Sequence, residues 1–256
     1  MHPKILHLLW RDRRIWSHLG WRDLRAQYAR TGIGPWWSTA TLLASIVGTS
    51  VAVQLISNGE FKEIIPRLAI GLSIWTFWSM CLIDGTNMFE AEKSLLLNTT
   101  IGEVVLAARI VWRNVLIFLH CSIVVLLAIM ISGGGISINL VWLIAVLLLA
   151  GPLLILFVIV CGLLTLWKRD LKSILPAIIQ VGFFVTPILW TAPRGGYGYL
   201  MIDLNPIAWH ILFAREAILG GTFRGDMLIR LMLLTTFSLA TTAFVGSRLQ
   251  VVRKYL

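Results

Sequence analysis

Six stretches of this chain are each long and apolar enough to cross a lipid bilayer, and they constrain its architecture more than any other feature. They run at about 38–57, 67–87, 108–131, 140–166, 173–191 and 229–247, each near or above the roughly 20 residues that span the hydrocarbon core as a helix. Lipid offers no partner to backbone N–H and C=O groups, so such segments must bond internally, as helices do. The expected fold is an all-α polytopic membrane protein with six transmembrane helices. Composition agrees: 58% of residues are hydrophobic and 13% charged, against about 25% charged in a soluble domain.

Charge sets the orientation. Of the 22 Lys and Arg residues, only Lys62, Arg67, Arg194, Arg215, Arg224 and Arg230 fall in the loops that follow odd-numbered spans. The others lie in the N-terminal segment, around the loops after spans two and four, and in the tail. Cytoplasmic loops carry the basic excess, so both termini are expected in the cytoplasm. The net charge of +10 is dealt out over short segments rather than along one face, which argues against a nucleic-acid footprint. The chain reads as one transmembrane domain over 1–256: a cytosolic segment at 1–37, a six-span core at 38–247 and a cytosolic tail at 248–256. The stretch ILHLLW at 5–10 is too short and polar to be the apolar core of a cleaved leader. Cys81, Cys121 and Cys161 sit singly in apolar segments, without disulfide or metal spacing. The His residues are scattered and no acidic cluster accompanies them, so no catalytic residue and no metal ligand is assigned.

The segment WRDLRAQYARTGIGPWW at 21–37 is basic and amphipathic. Trp21, Leu24 and Tyr28 fall at i, i+3 and i+7 on one helical face. Arg22, Asp23, Gln27 and Arg30 point elsewhere, and Gly32, Gly34 and Pro35 end the helix. Such a helix lies along a membrane surface, its arginines among headgroups or against a cytosolic partner. Near the other end, Asn205 and Pro206 form a helix start, a capping side chain followed by Pro at the first helical position. Ile207, Ile211, Ala214 and Ile218 then make an apolar stripe, and Gly220-Gly221 close the helix. Trp190, Pro193 and Gly195-Gly196 interrupt the chain just before it. The long loop between spans five and six is therefore expected to carry a short helix. It lies on the outer surface or dips back as a re-entrant gate, which needs protein or water to satisfy the broken backbone.

Several stretches, in order along nearly the whole chain, resemble the permease subunits of type-2 ABC exporters that move polysaccharides and lipid-linked O-antigen, capsule or teichoic acid chains. RDLRAQY at 22–28 with GPW at 34–36 is similar to that family's interface-helix signature, and VWRNVLIFLH at 111–120 to the start of its third span. KRD at 168–170 leading to FFVTPILW at 183–190 resembles the loop and fifth span. LNPIAWH at 204–210 with REAILG at 215–220 resembles the external helix. The family often carries a Pro in the cytosolic loop between spans two and three; here EAEKSLLLNTTIGE at 90–103 has Gly102 near that break and no Pro. The resemblance implies a multi-pass protein of the bacterial inner membrane, working as a homodimer because six helices are too few to enclose a glycan path. Two copies of a cytosolic ABC ATPase would bind ATP and Mg, and this chain would hold no cofactor. The implied cargo is an undecaprenyl-linked polysaccharide, O-antigen foremost, with capsule or teichoic acid possible.

The residues fit that division of labour. No GxxxxGK[ST] phosphate loop occurs in the chain, so ATP would have to act through another polypeptide. The docking surface is expected on Arg22, Asp23 and Arg25 and on Glu90, Glu92, Lys93 and Asn98; ordinary solvated charges are the alternative. Sugar rings stack on aromatic faces, which makes Trp75, Phe77 and Trp78 of span two, Phe183, Phe184 and Trp190 of span five, and the external Tyr197 and Trp209 candidate pathway residues. A lipid-facing belt is the alternative. The gate is placed on Asn205, Pro206, Ile207, Ile211 and Ile218. Asp84 near the cytosolic end of span two is the sole carboxylate in the expected spans, which argues against proton-coupled transport. A permease for drugs or small lipids, and a non-transporting membrane subunit, stand as alternatives. For the orientation, a cysteine placed at Gly59 should react with an impermeant thiol reagent added outside, and one at Asn98 should not; labelling of Asn98 from outside would reverse the topology.

Overall fold

The computed structural model describes residues 5–29, 31–99, 101–133, 140–191, 201–220 and 225–248. Helices α1 (Ile5–Arg11) and α2 (Arg13–Tyr28) precede α3 (Trp36–Ser57) and α4 (Phe61–Thr86). The chain continues through α5 (Met88–Ala91) and α6 (Lys93–Asn98) into α7 (Glu103–Ile131) and α8 (Leu140–Trp167). It ends with α9 (Leu171–Val185), α10 (Pro206–Leu219) and α11 (Gly225–Arg248). No strand occurs among the described residues. The expected interruptions at Pro193 and Gly195-Gly196, the candidate Tyr197, Gly221, and 249–256 of the tail lie outside them.

The protein is an all-α polytopic membrane protein, with α3, α4, α7, α8 and α11 each long and apolar enough to cross a membrane. The expected fifth span is where sequence and structure part. α9 has 15 residues, about 22 Å of helix, which falls short of a core roughly 30 Å thick. The segment expected at 173–191 runs through Thr186 and Pro187, and there the helix stops. Proline lacks an N–H and disfavours helical geometry in the residue before it; Thr186 is extended at φ −79° and ψ 137°. Its hydroxyl closes the end by donating to the Gly182 carbonyl at 2.7 Å. Average hydropathy does not register a break of this kind.

α4 is the axis of the bundle and touches α3, α7, α8, α9 and α10. Small residues set its approach to α8. A Cβ on Gly85 would come within 2.9 Å of the Val158 carbonyl oxygen, and one on Gly162 within 2.9 Å of the Phe89 ring. Thr165 Oγ1 donates across to the Thr86 carbonyl at 2.8 Å. Lipid tails give helices no hydrophobic reason to associate, so close backbone approach and cross-helix hydrogen bonds hold such pairs.

α10 packs into the bundle against α4, α8 and α11, with Ala208, His210, Ile211, Phe213 and Ala214 buried. Its start follows the sequence signal: Asn205 Oδ1 accepts from the N–H groups of Ile207 at 3.0 Å and Ala208 at 3.2 Å. Asn205 Nδ2 also donates to Thr186 Oγ1 at 2.8 Å, tying α10 to the end of α9. The larger tie is Arg215. Its Nη1 donates to the Pro187 carbonyl at 2.7 Å, Nη2 to Ile188 at 3.0 Å and Nε to Arg67 at 3.1 Å. Two of these carbonyls belong to the backbone that the α9 break leaves without helical donors. Gly71 makes room for the guanidinium, since a Cβ there would lie 2.8 Å from Nη2. Arg215→Met keeps the apolar stem and leaves the Pro187 and Ile188 carbonyls without a donor, while the Arg67 carbonyl keeps its place in helix α4. It should lower unfolding stability in micelles by about 2–6 kcal/mol, at roughly 1–3 kcal/mol per stranded group; a loss below about 1 kcal/mol would show that the broken backbone is satisfied otherwise.

Candidate functional site

The N-terminal helices are tied together at one end of the bundle by one side chain. Arg109, on α7, is buried, and its guanidinium grips Asp23 of α2 in two parallel bonds: Nε to Oδ2 at 2.5 Å and Nη2 to Oδ1 at 2.8 Å. Its Nη1 lies 2.9 Å from Glu92 Oε2, between α5 and α6. A planar fork matches a carboxylate in this way and a lysine does not. One turn on, Arg113 pairs with Asp84 at the end of α4, and Asn114 Nδ2 donates to the same carboxylate at 2.8 Å. Two arginines at i and i+4 on α7 thus hold the interface helix, the loop after span two, and span two itself. A cleft of about 500 Å³ runs beside these groups, lined by Asp23, Asp84, Glu92, Arg109 and Arg113 among others.

The interface helix sits closer to the bundle than its amphipathic pattern suggested. The face of α2 that meets α7 is centred on Gly20, where a Cβ would lie 3.0 Å from both the Arg109 carbonyl oxygen and the Trp112 ring. Trp16 meets Trp112 edge-on at 5.6 Å, and the Tyr28 and Ser38 hydroxyls are hydrogen-bonded at 2.5 Å. Trp21, on the face expected to lie along the membrane surface, is half exposed. Ahead of α2, the Arg11 guanidinium hydrogen-bonds Asp12 and holds its carboxyl below the ordinary carboxylate range.

The candidate docking residues separate into two groups. Asp23 and Glu92 turn inward to Arg109. Arg22, Arg25, Glu90, Lys93 and Asn98 are exposed; Asn98 Nδ2 reaches Ser94 Oγ at 3.3 Å. Leu96 is fully buried and seats α6 on the bundle. Glu90 pairs with Lys172 at 3.2 Å, across a cleft of about 340 Å³ that Lys93 and Arg169 also line.

The candidate aromatics of α4 face four different helices. Trp75 meets Phe183 of α9 edge-on at 5.8 Å, Phe77 meets Phe118 of α7 at 5.1 Å, and Trp78 meets Phe157 of α8 at 6.0 Å and His210 of α10 at 5.2 Å. Phe77 and Trp78 are buried within this chain. Phe184 is exposed, and Trp190 Nε1 donates to its carbonyl at 3.0 Å. Trp209 lies under the Arg230 guanidinium at 5.8 Å. Of the candidate gate, Asn205 and Pro206 build the helix start, Ile211 is fully buried, and Ile207 and Ile218 pack half-buried on the core.

Arg109 entered the sequence reading only as a topology charge, and Arg215 only as one and as the first residue of REAILG at 215–220. Arg109 stands alone in an apolar run at 104–111 and Arg215 stands beside Glu216 in one at 211–219, and a cation in such a run needs a partner inside the protein. That was the available signal. Among the described residues no group of three or more His, Cys, Asp or Glu is placed to hold a metal ion.

No protein-family model matches the chain. It is similar to two proteins of Klebsiella pneumoniae, each described as O-antigen export system permease protein RfbA. It is 25% identical to one over 204 residues, 78% of each chain, and 25% identical to the other over 222 residues, 85% of each. The homology is weak, and it places the chain as a membrane-embedded, permease-like protein related to polysaccharide exporters, in keeping with a non-enzymatic role. If one guanidinium serves both carboxylates, Arg109→Ala should destabilise the protein by about 3–5 kcal/mol, the range for breaking a buried pair, and Arg109→Lys by clearly less. A cycle of Asp23→Ala with Glu92→Ala, read by unfolding in micelles, should be non-additive; simple additivity would remove the shared hub.

Proposed function

We propose that this chain, as one transmembrane domain over 1–256, is the permease of an ATP-driven exporter that moves an undecaprenyl-linked polysaccharide across the bacterial inner membrane, O-antigen foremost. It works as a homodimer with two copies of a cytosolic ATPase that binds ATP and Mg, and both its termini face the cytoplasm. Similarity to the two O-antigen export permeases supports the cargo class. The observation that carries the reading is the Arg109 tie. A separate ATPase can drive a membrane domain only by pushing on something rigid, and the loop after span two is fastened through Arg109 to both the interface helix and span three.

In this scheme Arg22, Arg25, Glu90, Lys93 and Asn98 meet the ATPase, while Asp23 and Glu92 act indirectly by fixing the geometry of that surface. Phe184, Trp190 and Trp209 offer ring faces to a passing glycan, and Tyr197, outside the described residues, is a further candidate. Trp75, Phe77, Trp78 and Phe183 shape the wall behind them. The helix from Asn205 and Pro206 through Ile207, Ile211 and Ile218 closes the outer end.

Reconstituted with its ATPase, the permease should support hydrolysis that rises with lipid-linked polysaccharide and stays flat with hydrophobic drugs. The combined change Arg22→Glu, Arg25→Glu and Lys93→Glu should cut surface polysaccharide about tenfold or more by weakening a charged contact, with normal permease levels in the membrane. Stimulation by drugs alone would favour a drug or small-lipid permease, and wild-type export by the triple variant would remove the docking surface.

A further inference from the structure

One cleft gathers more cations than the chain itself neutralises. It has a volume of about 340 Å³, and Lys93 of α6, Arg169 of the α8–α9 junction and Lys172 of α9 line it together with Glu90. Glu90 pairs with Lys172 at 3.2 Å. Among the described residues no carboxylate is ion-paired with Lys93 or Arg169. Three cations against one carboxylate leave the cleft at a net +2. The rest of its wall asks for no further charge. Phe89 is buried and Leu166 half-buried. Thr86 and Thr165 already give their hydroxyl hydrogens to backbone carbonyls, of Ile83 at 2.7 Å and of Thr86 at 2.8 Å. An occupant is therefore recognised by its negative charge, and the cleft leaves room for more than a bare ion.

The depth of the cleft indicates where that charge comes from. The apolar stretch of α8, Leu148–Trp167, is long enough to cross a membrane and ends at Trp167. Trp167 is 73% exposed, and Lys168 Nζ lies 4.7 Å from its ring centroid. An exposed Trp at the end of a span sits at the level of the lipid headgroups, and Arg169 and Lys172 follow it directly. Leu164, nearly one turn earlier on α8, is 44% exposed, so apolar surface leads from the bilayer to this level. We propose that the cleft binds the headgroup phosphate of an anionic phospholipid, held by Lys93, Arg169 and Lys172, with its acyl chains in the bilayer beside α8. Basic pockets between spanning helices suit such headgroups, and each cation near the surface is worth about fivefold in affinity. A free phosphate has the same charge chemistry but no chains to hold it at this depth. The bound headgroup joins the loop after span two to the α8–α9 junction, adding to the Glu90–Lys172 pair. Lys93 is shared with the surface proposed for the ATPase; Arg169 and Lys172 are not, and the site does not depend on that reading.

The test uses the full chain in zwitterionic micelles, with bound lipids counted by native mass spectrometry. The first phosphatidylglycerol should bind about tenfold or more tightly than phosphatidylcholine with the same chains, whose choline cation cancels the phosphate charge. Arg169→Gln with Lys172→Gln leaves Lys93 against Glu90 and should bring the two lipids to within about twofold of each other. Arg13→Gln with Arg14→Gln removes the same charge from another exposed stretch and should keep the preference. Millimolar inorganic phosphate should leave phosphatidylglycerol bound; displacement by it would assign the cleft to the free ion and overturn the lipid. Equal affinity for the two lipids in the unaltered protein would also overturn the proposal and leave the cations to an acidic protein surface. Equal loss of preference in both double variants would overturn it too, since the attraction would then belong to the overall charge. The comparison of lipids on the unaltered protein needs no variant, so a misfolded substitution cannot decide it.

Discussion

In the hydrocarbon core of a bilayer a carbonyl without a donor has nothing to turn to, and this chain breaks a helix inside an apolar segment. Everything around α9 and α10 follows from that constraint. Thr186 is extended before Pro187, so the carbonyls of Pro187 and Ile188 lose their place in a helical ladder. Arg215 meets them both, and a third from α4, with one rigid fork of donors. To deliver that fork, α10 has to lie inside the bundle, and to admit it α4 has to be bare at Gly71. The break, the inserted helix and the glycine are consequences of a single requirement on backbone hydrogen bonding.

Arg109 solves a different problem with the same chemistry. Its partners are charged and come from separate parts of the chain, so it orders those parts relative to one another rather than repairing one of them. A buried ion pair gives uncertain net stability, because desolvation offsets much of the attraction. What it gives reliably is geometry, and removing one member strands the others. Two carboxylates on one guanidinium make the position of α2 depend on the position of the loop after span two. Gly20 brings the α2 backbone close enough to α7 for the fork to reach. The second pair, Arg113 with Asp84, repeats the arrangement one turn deeper and extends it to α4.

Local signals were legible in the sequence and long-range ones were not. The helix start at Asn205 and Pro206 depends on groups two and three residues away, and the structure shows both capping hydrogen bonds. Five of the spans follow from hydropathy because a long apolar helix needs no knowledge of its neighbours. The fifth expected span failed on two residues whose meaning is conformational: Thr186-Pro187 stood in the sequence, but an average over the segment weighs them as small and mildly apolar. Trp75, Phe77 and Trp78 read as one cluster because they share a turn. Residues one or two apart on a helix point in different directions, and even Trp75 and Trp78, three apart, find different partners: the three residues meet α9, α7, and α8 with α10. Spacing on one helix cannot say which partner each direction meets.

The same contrast bears on where motion enters such a molecule. α4 is joined to α8 by close backbone contact at Gly85 and Gly162, which leaves little room for sliding, so these two helices are built to move as a unit. Around the Asp84 end of that unit the ties are ionic and border a cleft. A displacement of α6, seated by Leu96, therefore reaches α2, α4 and α7 through Arg109 and Arg113 before it reaches the α4–α8 contact. At the far end of α4 the bundle meets α10 through Arg215 and through the Trp78–His210 pair. Because α4 carries one member of the ion-pair network and also the seat of α10, a push on the loop and the seating of α10 are linked through a single helix.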